Sequence, residues 1–119
     1  MNKRTVGSEK EELAIRYLRE HGVNILCRNF RSRAGEIDII GREDNTIVFF
    51  EVKYRKNERT GTPQEAVTFS KQKTICRVAD FYRVRYRIPY DAACRFDVIA
   101  ILGEQITWLR NAFDYIGSM

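Results

Sequence analysis

Two acidic residues and a lysine in one short stretch have the types and spacing to act on a phosphate ester. Asp38 lies in the run G-E-I-D-I-I, and Glu51 and Lys53 follow in the run T-I-V-F-F-E-V-K. Carboxylate oxygens are ligands that Mg²⁺ and Mn²⁺ favour, and a lysine ammonium stabilises negative charge that develops during hydrolysis. These three residues predict a metal-dependent hydrolytic site.

A β-hairpin is the element that must bring these side chains together. Both runs are rich in Ile, Val and Phe and flank a short polar break at residues 43–45, a pattern typical of a hairpin. A turn centred in this break places Asp38 opposite Glu51, where two carboxylates repel each other unless a cation lies between them. The same register places Glu36 opposite Lys53, which is expected on the same strand face as Glu51.

Four sequence blocks resemble the YraN-like family of predicted endonucleases. They are G-E-I-D-I-I, F-F-E-V-K, P-x-E-A-V at residues 63–67 and R-F-D-V-I at residues 95–99. The first two contain the acidic and E-x-K elements of PD-(D/E)xK nucleases, and the family is similar to archaeal Holliday-junction resolvases. The resemblance implies a restriction-endonuclease-like α/β fold and cleavage of nucleic acid. DNA is expected rather than RNA, branched DNA above all, and a homodimer is a possible assembly.

The resemblance also implies roles for individual residues. Asp38, Glu51 and the carbonyl of Val52 would hold one or two Mg²⁺ or Mn²⁺ ions. Lys53 would keep its positive charge among the acids and stabilise the pentavalent phosphate. Glu36 would tune Lys53 or simply pair with it.

Glu11 has two interpretations. The S-x-x-E pattern from Ser8 to Glu11 is typical of a capping box, which predicts a helix that begins there and ends at Gly22. In the family, a glutamate of the first helix completes the metal site, although Lys10 replaces the glycine that often precedes it. Glu11 is therefore expected either to cap the helix or to ligate the metal.

Basic residues bracket the acidic stretch. The chain of 119 residues contains 21 Lys and Arg against 16 Asp and Glu, and segments 28–33, 53–59 and 71–87 carry much of the excess. Such clusters are typical of a surface that contacts a phosphate backbone, although they also occur on ordinary solvated surfaces. The residues expected to contact nucleic acid are Arg28, Arg31, Arg33, Arg55, Lys56, Lys71 and Gln72, the last two through the resemblance.

The periodicity predicts one α/β domain over residues 1–119, with the order α-β-β-β-α-β-β and a mixed sheet flanked by helices. A second capping box at residues 62–65 precedes a long helix, which Ser70 is expected to cap and Pro89 to end. In the last hairpin, Asp97 is expected opposite Arg110 as a structural ion pair.

The composition excludes several classes of protein. With His21 as the single histidine, a multi-histidine zinc site cannot form. The first residues do not form a secretory signal, and no apolar run is long enough to span a bilayer. The three cysteines do not form a C-x-x-C motif, and this pattern is typical of free thiols in a reducing cytoplasm. Two other functions remain open: a non-catalytic nucleic-acid-binding module and a structural protein.

Overall fold

The computed structural model of the chain describes residues 3–56 and 67–117. Within these residues the chain forms α1 Lys3–Glu20, β1 Asn24–Ser32, β2 Gly35–Glu43, β3 Thr46–Arg55, α2 Phe69–Arg85, β4 Cys94–Leu102 and β5 Gln105–Phe113. This order confirms the predicted α-β-β-β-α-β-β arrangement. The predicted capping box at residues 62–65 lies outside the described residues.

The strands form one mixed sheet in the order β1-β2-β3-β4-β5. β3 and β4 are parallel, and the other neighbours are antiparallel. Parallel neighbours need a crossover between them, and α2 is part of that connection. β3 is the central strand, as its apolar residues on both faces predicted.

One helix covers each face of the sheet. The core on the α1 face contains Ala14, Ile15, Leu18, Ile39, Val48, Phe50, Ile99 and Ile101. The core on the α2 face contains Ile37, Ile40, Phe49, Ile75, Val78, Ala79, Tyr82, Phe96 and Val98. Because side chains alternate along β3, Phe50 and Val52 face α1, whereas Glu51 and Lys53 face α2.

The helix starts differ from the sequence predictions. α1 begins at Lys3, so Ser8 lies inside the helix and the predicted capping box is wrong. Gly7 does not stop the helix, since an interior glycine costs only about 1 kcal/mol relative to alanine. The end is as predicted: Gly22 has φ +89°, and Val23 N donates to Leu18 O at 2.9 Å.

α2 begins with a cap two residues before the predicted one. Thr68 has the extended backbone of an N-cap, and its Oγ1 accepts a hydrogen bond from Lys71 N at 3.2 Å. Ser70 therefore lies in the first turn and is not the cap. The helix ends at Arg85, before Pro89.

The last hairpin buries Asp97 completely, but its predicted partner is wrong. The pairing between β4 and β5 shifts between Phe96 and Val98, so Arg110 is displaced from Asp97. The Asp97 carboxylate instead accepts hydrogen bonds from Arg95 Nε, Trp108 Nε1 and Asn111 N. Arg110 pairs with Glu43.

The three cysteines are free, as predicted, although Cys76 alone among them is fully buried. Neither helix in the described residues combines the length and hydropathy that crossing a lipid bilayer requires.

Candidate active site

β2 and β3 separate at the predicted site, and a side chain fills the gap. The predicted register is confirmed from Glu43 paired with Thr46 to Ile39 paired with Phe50. Beyond this last pair, Asp38 Oδ2 accepts a hydrogen bond from Val52 N at 2.8 Å. Asp38 thus binds the backbone of β3 and is not a ladder partner of Glu51, so that predicted pairing is wrong.

The carboxyl groups of Glu51 and Asp38 nevertheless lie next to each other. Glu51 is only 7% exposed. Its burial, together with the charge and hydrogen bonding of Asp38, raises the pKa of Glu51 to about 8, although Lys71 and Lys53 oppose this rise. Lys71 Nζ lies 3.7 Å from Glu51 Oε2. In the absence of a metal, the Glu51 carboxyl group therefore retains its proton at neutral pH.

Asp38 also belongs to a group of three neighbouring carboxylates. Glu11, Glu36 and Asp38, all half-buried, each contribute an oxygen to a group whose members lie within 4.8 Å of one another. Burial raises the pKa of Glu11, and the charges of Asp38 and Glu36 raise it further. Such a group of oxygens could hold a divalent cation.

Helix packing explains the position of Glu11. Glu11 precedes the fully buried Ile15 by one helical turn, so both side chains project from the same side of α1 towards the sheet. Because α1 begins at Lys3, Glu11 does not cap the helix, and that interpretation is wrong.

Asn29 is a site residue that the sequence analysis missed. When its amide nitrogen points at the acids, it lies 2.6 Å from Glu11 Oε1 and 2.8 Å from Glu36 Oε1, and so donates to both. Asn29 has φ +51°, a left-handed conformation that asparagine tolerates better than most residues. A lone asparagine in an alternating strand was a weak signal for this role, because its contacts depend on α1.

The predicted pair between Glu36 and Lys53 is wrong. Glu36 is in register with Arg31 of β1, and Arg31 Nε lies 3.0 Å from Glu36 Oε2. The separation of β2 from β3 leaves Glu36 on the β1 side. Lys53 is half-buried, and within residues 3–56 and 67–117 it has no carboxylate within ion-pair distance.

A small cleft joins most of the predicted metal ligands. It has a volume of about 180 Å³ and is lined by Gly7, Lys10, Glu11, Asp38, Val52 and Tyr54. Three of the residues predicted to hold the metal, Glu11, Asp38 and Val52, thus share one cavity. The fourth, Glu51, contacts Asp38 from the α2 face.

The residues predicted to contact nucleic acid divide into two groups, of which the first is engaged within the protein. Arg28 pairs with Glu12 at 3.1 Å, and Arg31 pairs with Glu36. The Nε2 atom of Gln72 donates to Val67 O at 3.1 Å and stabilises the start of α2.

The second group is open to solvent or lies at the site. Arg33 is exposed in the turn between β1 and β2, and Lys56 is exposed after β3. The Arg55 guanidinium is half-buried and donates to the carbonyl of Tyr54. Lys71 reaches Glu51, so α2 contributes a cation to the acidic site.

The sequence has many relatives along nearly its whole length. The family described as "Uncharacterised protein family UPF0102" matches residues 10–101. A UPF0102 protein of Lachnoclostridium phytofermentans is 49% identical over 118 residues, which cover 99% of this chain and 100% of that protein. A UPF0102 protein of Caldicellulosiruptor saccharolyticus is 42% identical, covering 95% of this chain and 100% of its own. The chain therefore belongs to the UPF0102 family, the YraN-like family.

Proposed function

We propose that the protein is a metal-dependent endonuclease that hydrolyses phosphodiester bonds of nucleic acid. The observation that carries this proposal is the convergence of three carboxylates on a fourth, that of Asp38, with Lys53 and Lys71 beside them. Glu11 and Glu36 approach Asp38 on one side, and the buried Glu51 contacts it on the other. Four acids in such proximity repel one another, and a purely structural site has no need for them.

The donor set fits a hard divalent cation. All the candidate ligands are oxygens: the carboxylates of Glu11, Asp38 and Glu51 and the carbonyl of Val52, the set that Mg²⁺ and Mn²⁺ favour. A bound ion would polarise a phosphate oxygen and activate a water molecule as the nucleophile. Glu36 is engaged by Arg31 and Asn29, which suits a residue that orients the ligands.

Lysines supply the positive charge that the reaction requires. Lys53 follows Glu51 on the same strand face, and the positive charges of Lys71 and Lys53 both act to lower the pKa of Glu51. In this position Lys53 stabilises the negative charge that develops on the phosphate. With Glu51 holding a metal ion, Lys71 would be available to bind a nonbridging phosphate oxygen. The two lysines thus orient the substrate from the sheet and from α2.

The surface beside the site suits a polyanion. The exposed Arg33 and Lys56 flank the strands that carry the acids, and the chain has a net charge of +5. Such cations bind a phosphate backbone through counterion release, without reading its sequence. The preference for DNA, for branched substrates and for a homodimer is proposed from the resemblance to Holliday-junction resolvases.

Cleavage assays with paired variants test the proposal. Wild-type protein with Mg²⁺ or Mn²⁺ is expected to cut members of a panel of branched, nicked and single-stranded DNA, and EDTA is expected to stop it. Glu51→Gln is expected to abolish cleavage while it retains binding, because the exposed cations supply the affinity. Lys53→Ala is expected to lower the rate by about 10²–10³-fold. Glu104→Gln, in the exposed turn before β5, is the control and is expected to cut like wild type.

Two outcomes would contradict the proposal. Cleavage that persists in Glu51→Gln would come from a contaminating nuclease. If pure protein with Mn²⁺ cuts neither DNA nor RNA but binds them in a salt-dependent manner, the protein is a nucleic-acid-binding module instead.

A further inference from the structure

A second cavity lies beside the first turns of α2, the helix that also carries Lys71 of the proposed active site. It has a volume of about 580 Å³, within the range of about 300–1,000 Å³ that is typical of small-ligand pockets. Its walls are the β1–β2 turn at Ala34, the α2 residues Phe69, Ser70 and Lys73, and the C-terminal segment at Ile116. None of these residues belongs to the acidic site.

Packing contacts hold the walls of this pocket in place. Gly35 lies so close to α2 that a Cβ atom there would be 2.7 Å from Thr74 Cγ2, which fixes the β1–β2 turn against the helix. On the other side, the Arg77 guanidinium donates to the carbonyl of Ile116, and Ile116 N lies 3.4 Å from Cys76 Sγ. The pocket is therefore formed before any ligand binds.

The pocket combines an open aromatic ring with a cation. Phe69 is 64% exposed, so most of its ring surface is accessible to a ligand. Lys73 Nζ lies 5.7 Å from the centre of the Phe69 ring. In the part of the chain that the structure describes, Lys73 has no carboxylate within 4 Å. An aromatic face beside a cation without an acidic partner suits a ligand that has both a flat ring and a negative charge.

The position on α2 indicates which ligand this is. Phe69 precedes Lys71 by two residues, about 3 Å along the helix axis, and their side chains leave the first turn of α2 on different sides. Lys71 contacts the proposed catalytic Glu51, so a nucleic-acid strand that crosses the first turn of α2 can contact both residues. The exposed Arg33 adjoins the opposite wall at Ala34. A nucleic-acid strand with its phosphate at Lys71 would place a neighbouring nucleotide at this pocket.

We propose that this pocket binds one unpaired nucleotide adjoining the phosphodiester that is cut, with its base stacked on Phe69 and its phosphate bound by Lys73. This inference rests on the proposed nuclease function and specifies its substrate: nucleic acid that is single-stranded next to the cleavage point, as at a flap, a gap or a junction. A paired base cannot enter the pocket, because it is stacked within the duplex.

Binding measurements separate stacking from general phosphate affinity. In the Glu51→Gln background, which prevents cleavage, Phe69→Ala is expected to weaken binding of a fluorescein-labelled oligothymidylate about tenfold. This follows from the stacking energy of about 1–3 kcal/mol per base. Binding of a blunt duplex of the same length is expected to stay unchanged. Phe69→Trp is expected to retain the affinity, and its added fluorescence is expected to be quenched by the oligonucleotide.

Phe81→Ala is the matched control. Phe81 is 50% exposed on the same helix but lies outside the pocket, about 18 Å from Phe69 along the axis. Its removal is expected to affect neither ligand.

Three results would overturn the subsite. The first is that Phe69→Ala weakens binding of oligothymidylate and of duplex equally, and the second is that Phe69→Ala and Phe81→Ala weaken oligothymidylate binding equally. The third is that wild-type protein does not bind oligothymidylate. Failure of the subsite leaves the nuclease proposal intact if wild-type protein still cuts DNA with Mg²⁺ and Glu51→Gln does not. Conversely, a stacking signal without any cleavage would support the pocket in a protein that only binds.

Discussion

Two buried carboxylates on neighbouring parallel strands have opposite surroundings. Asp97 of β4 is 0% exposed and accepts hydrogen bonds from Arg95, Trp108 and a backbone N–H. Glu51 of β3 is 7% exposed, yet the carboxyl group of Asp38 beside it raises its pKa, and the closest cation, Lys71, is 3.7 Å away. The hydrogen-bond donors around Asp97 stabilise its negative charge, whereas the surroundings of Glu51 favour its neutral form.

This difference is the one expected between an acid that contributes to folding and an acid with the role proposed for Glu51. A buried carboxylate that contributes to folding needs donors in its folded surroundings, as Asp97 has. A carboxylate that lacks them lowers stability when it ionises, and proteins place such groups where a ligand or a reaction uses them. The contrast places Asp97 in the framework that joins β4 to β5, and it agrees with the chemical role that we propose for Glu51.

Removal of the satisfied acid should have the largest effect on stability. Asp97→Ala leaves the Nε–H of the half-buried Arg95 and the Trp108 N–H without their acceptor, while Arg95 keeps its pairing with Glu43. The free energy of unfolding is expected to fall by about 3–5 kcal/mol. Urea denaturation measures the change. Asp114→Ala, an exposed acid after β5, is the control and is expected to change stability little. A loss at Asp97 no larger than that of the control would remove the distinction between the two acids.

The unsatisfied acid should respond in the opposite direction, through pH. Because the pKa of Glu51 is raised to about 8 from an ordinary 4.5, the folded state holds a proton that the unfolded state releases between these values. Glu51 therefore contributes most stability below pH 4.5, and this contribution is lost as pH rises towards 8. With EDTA present, Glu51→Gln is expected to remove this loss and to be more stable than wild type at pH 8 by about 1–3 kcal/mol.

Thermal melts of wild type and Glu51→Gln between pH 5 and pH 8 measure this effect. Glu104→Gln is again the control, since its exposed carboxylate lies in the β4–β5 turn. If the melting temperatures of wild type and Glu51→Gln fall equally over this pH range, then ionisation of Glu51 does not lower the stability of the folded protein.

The sequence predicted the scaffold better than the contacts between side chains. Alternating apolar runs fixed the strands and the turn of the central hairpin, so the pairs from Glu43–Thr46 to Ile39–Phe50 were correct. The next pair was wrong because the side chain of Asp38 accepts the Val52 N–H that a regular ladder would use. Likewise, a shift between Phe96 and Val98 displaced Arg110 from Asp97. The alternation of apolar and polar residues along a strand does not indicate where such irregularities in strand pairing occur.

Contacts with α1 were harder still to predict. The S-x-x-E pattern at Ser8 was sufficient for a capping box, but the same four residues also fit the middle of a helix, which is where they lie. Glu11 projects towards Asp38 because Ile15, one helical turn later, packs on the sheet. Asn29, whose backbone has φ +51°, contacts Glu11 and Glu36 through its amide group. These contacts depend on tertiary structure that a single sequence does not specify locally.

Substitution of Glu11 tests whether the acids around Asp38 bind a metal, and it is expected to change the stability of the protein least. Glu11→Gln keeps the Oε1 atom that accepts from Asn29 and removes only the negative charge. Burial and the charges of Asp38 and Glu36 raise the pKa of Glu11, so its neutralisation is expected to leave the melting temperature nearly unchanged or slightly higher. If Glu11 ligates the ion, calorimetry is expected to show Mn²⁺ binding weakened by about tenfold or more. Glu12→Gln, which removes the neighbouring charge that pairs with Arg28, is expected to bind Mn²⁺ like wild type. Equal Mn²⁺ affinity in all three proteins would remove Glu11 from the ligand set and leave Asp38 and Glu51 as the acids that bind the metal.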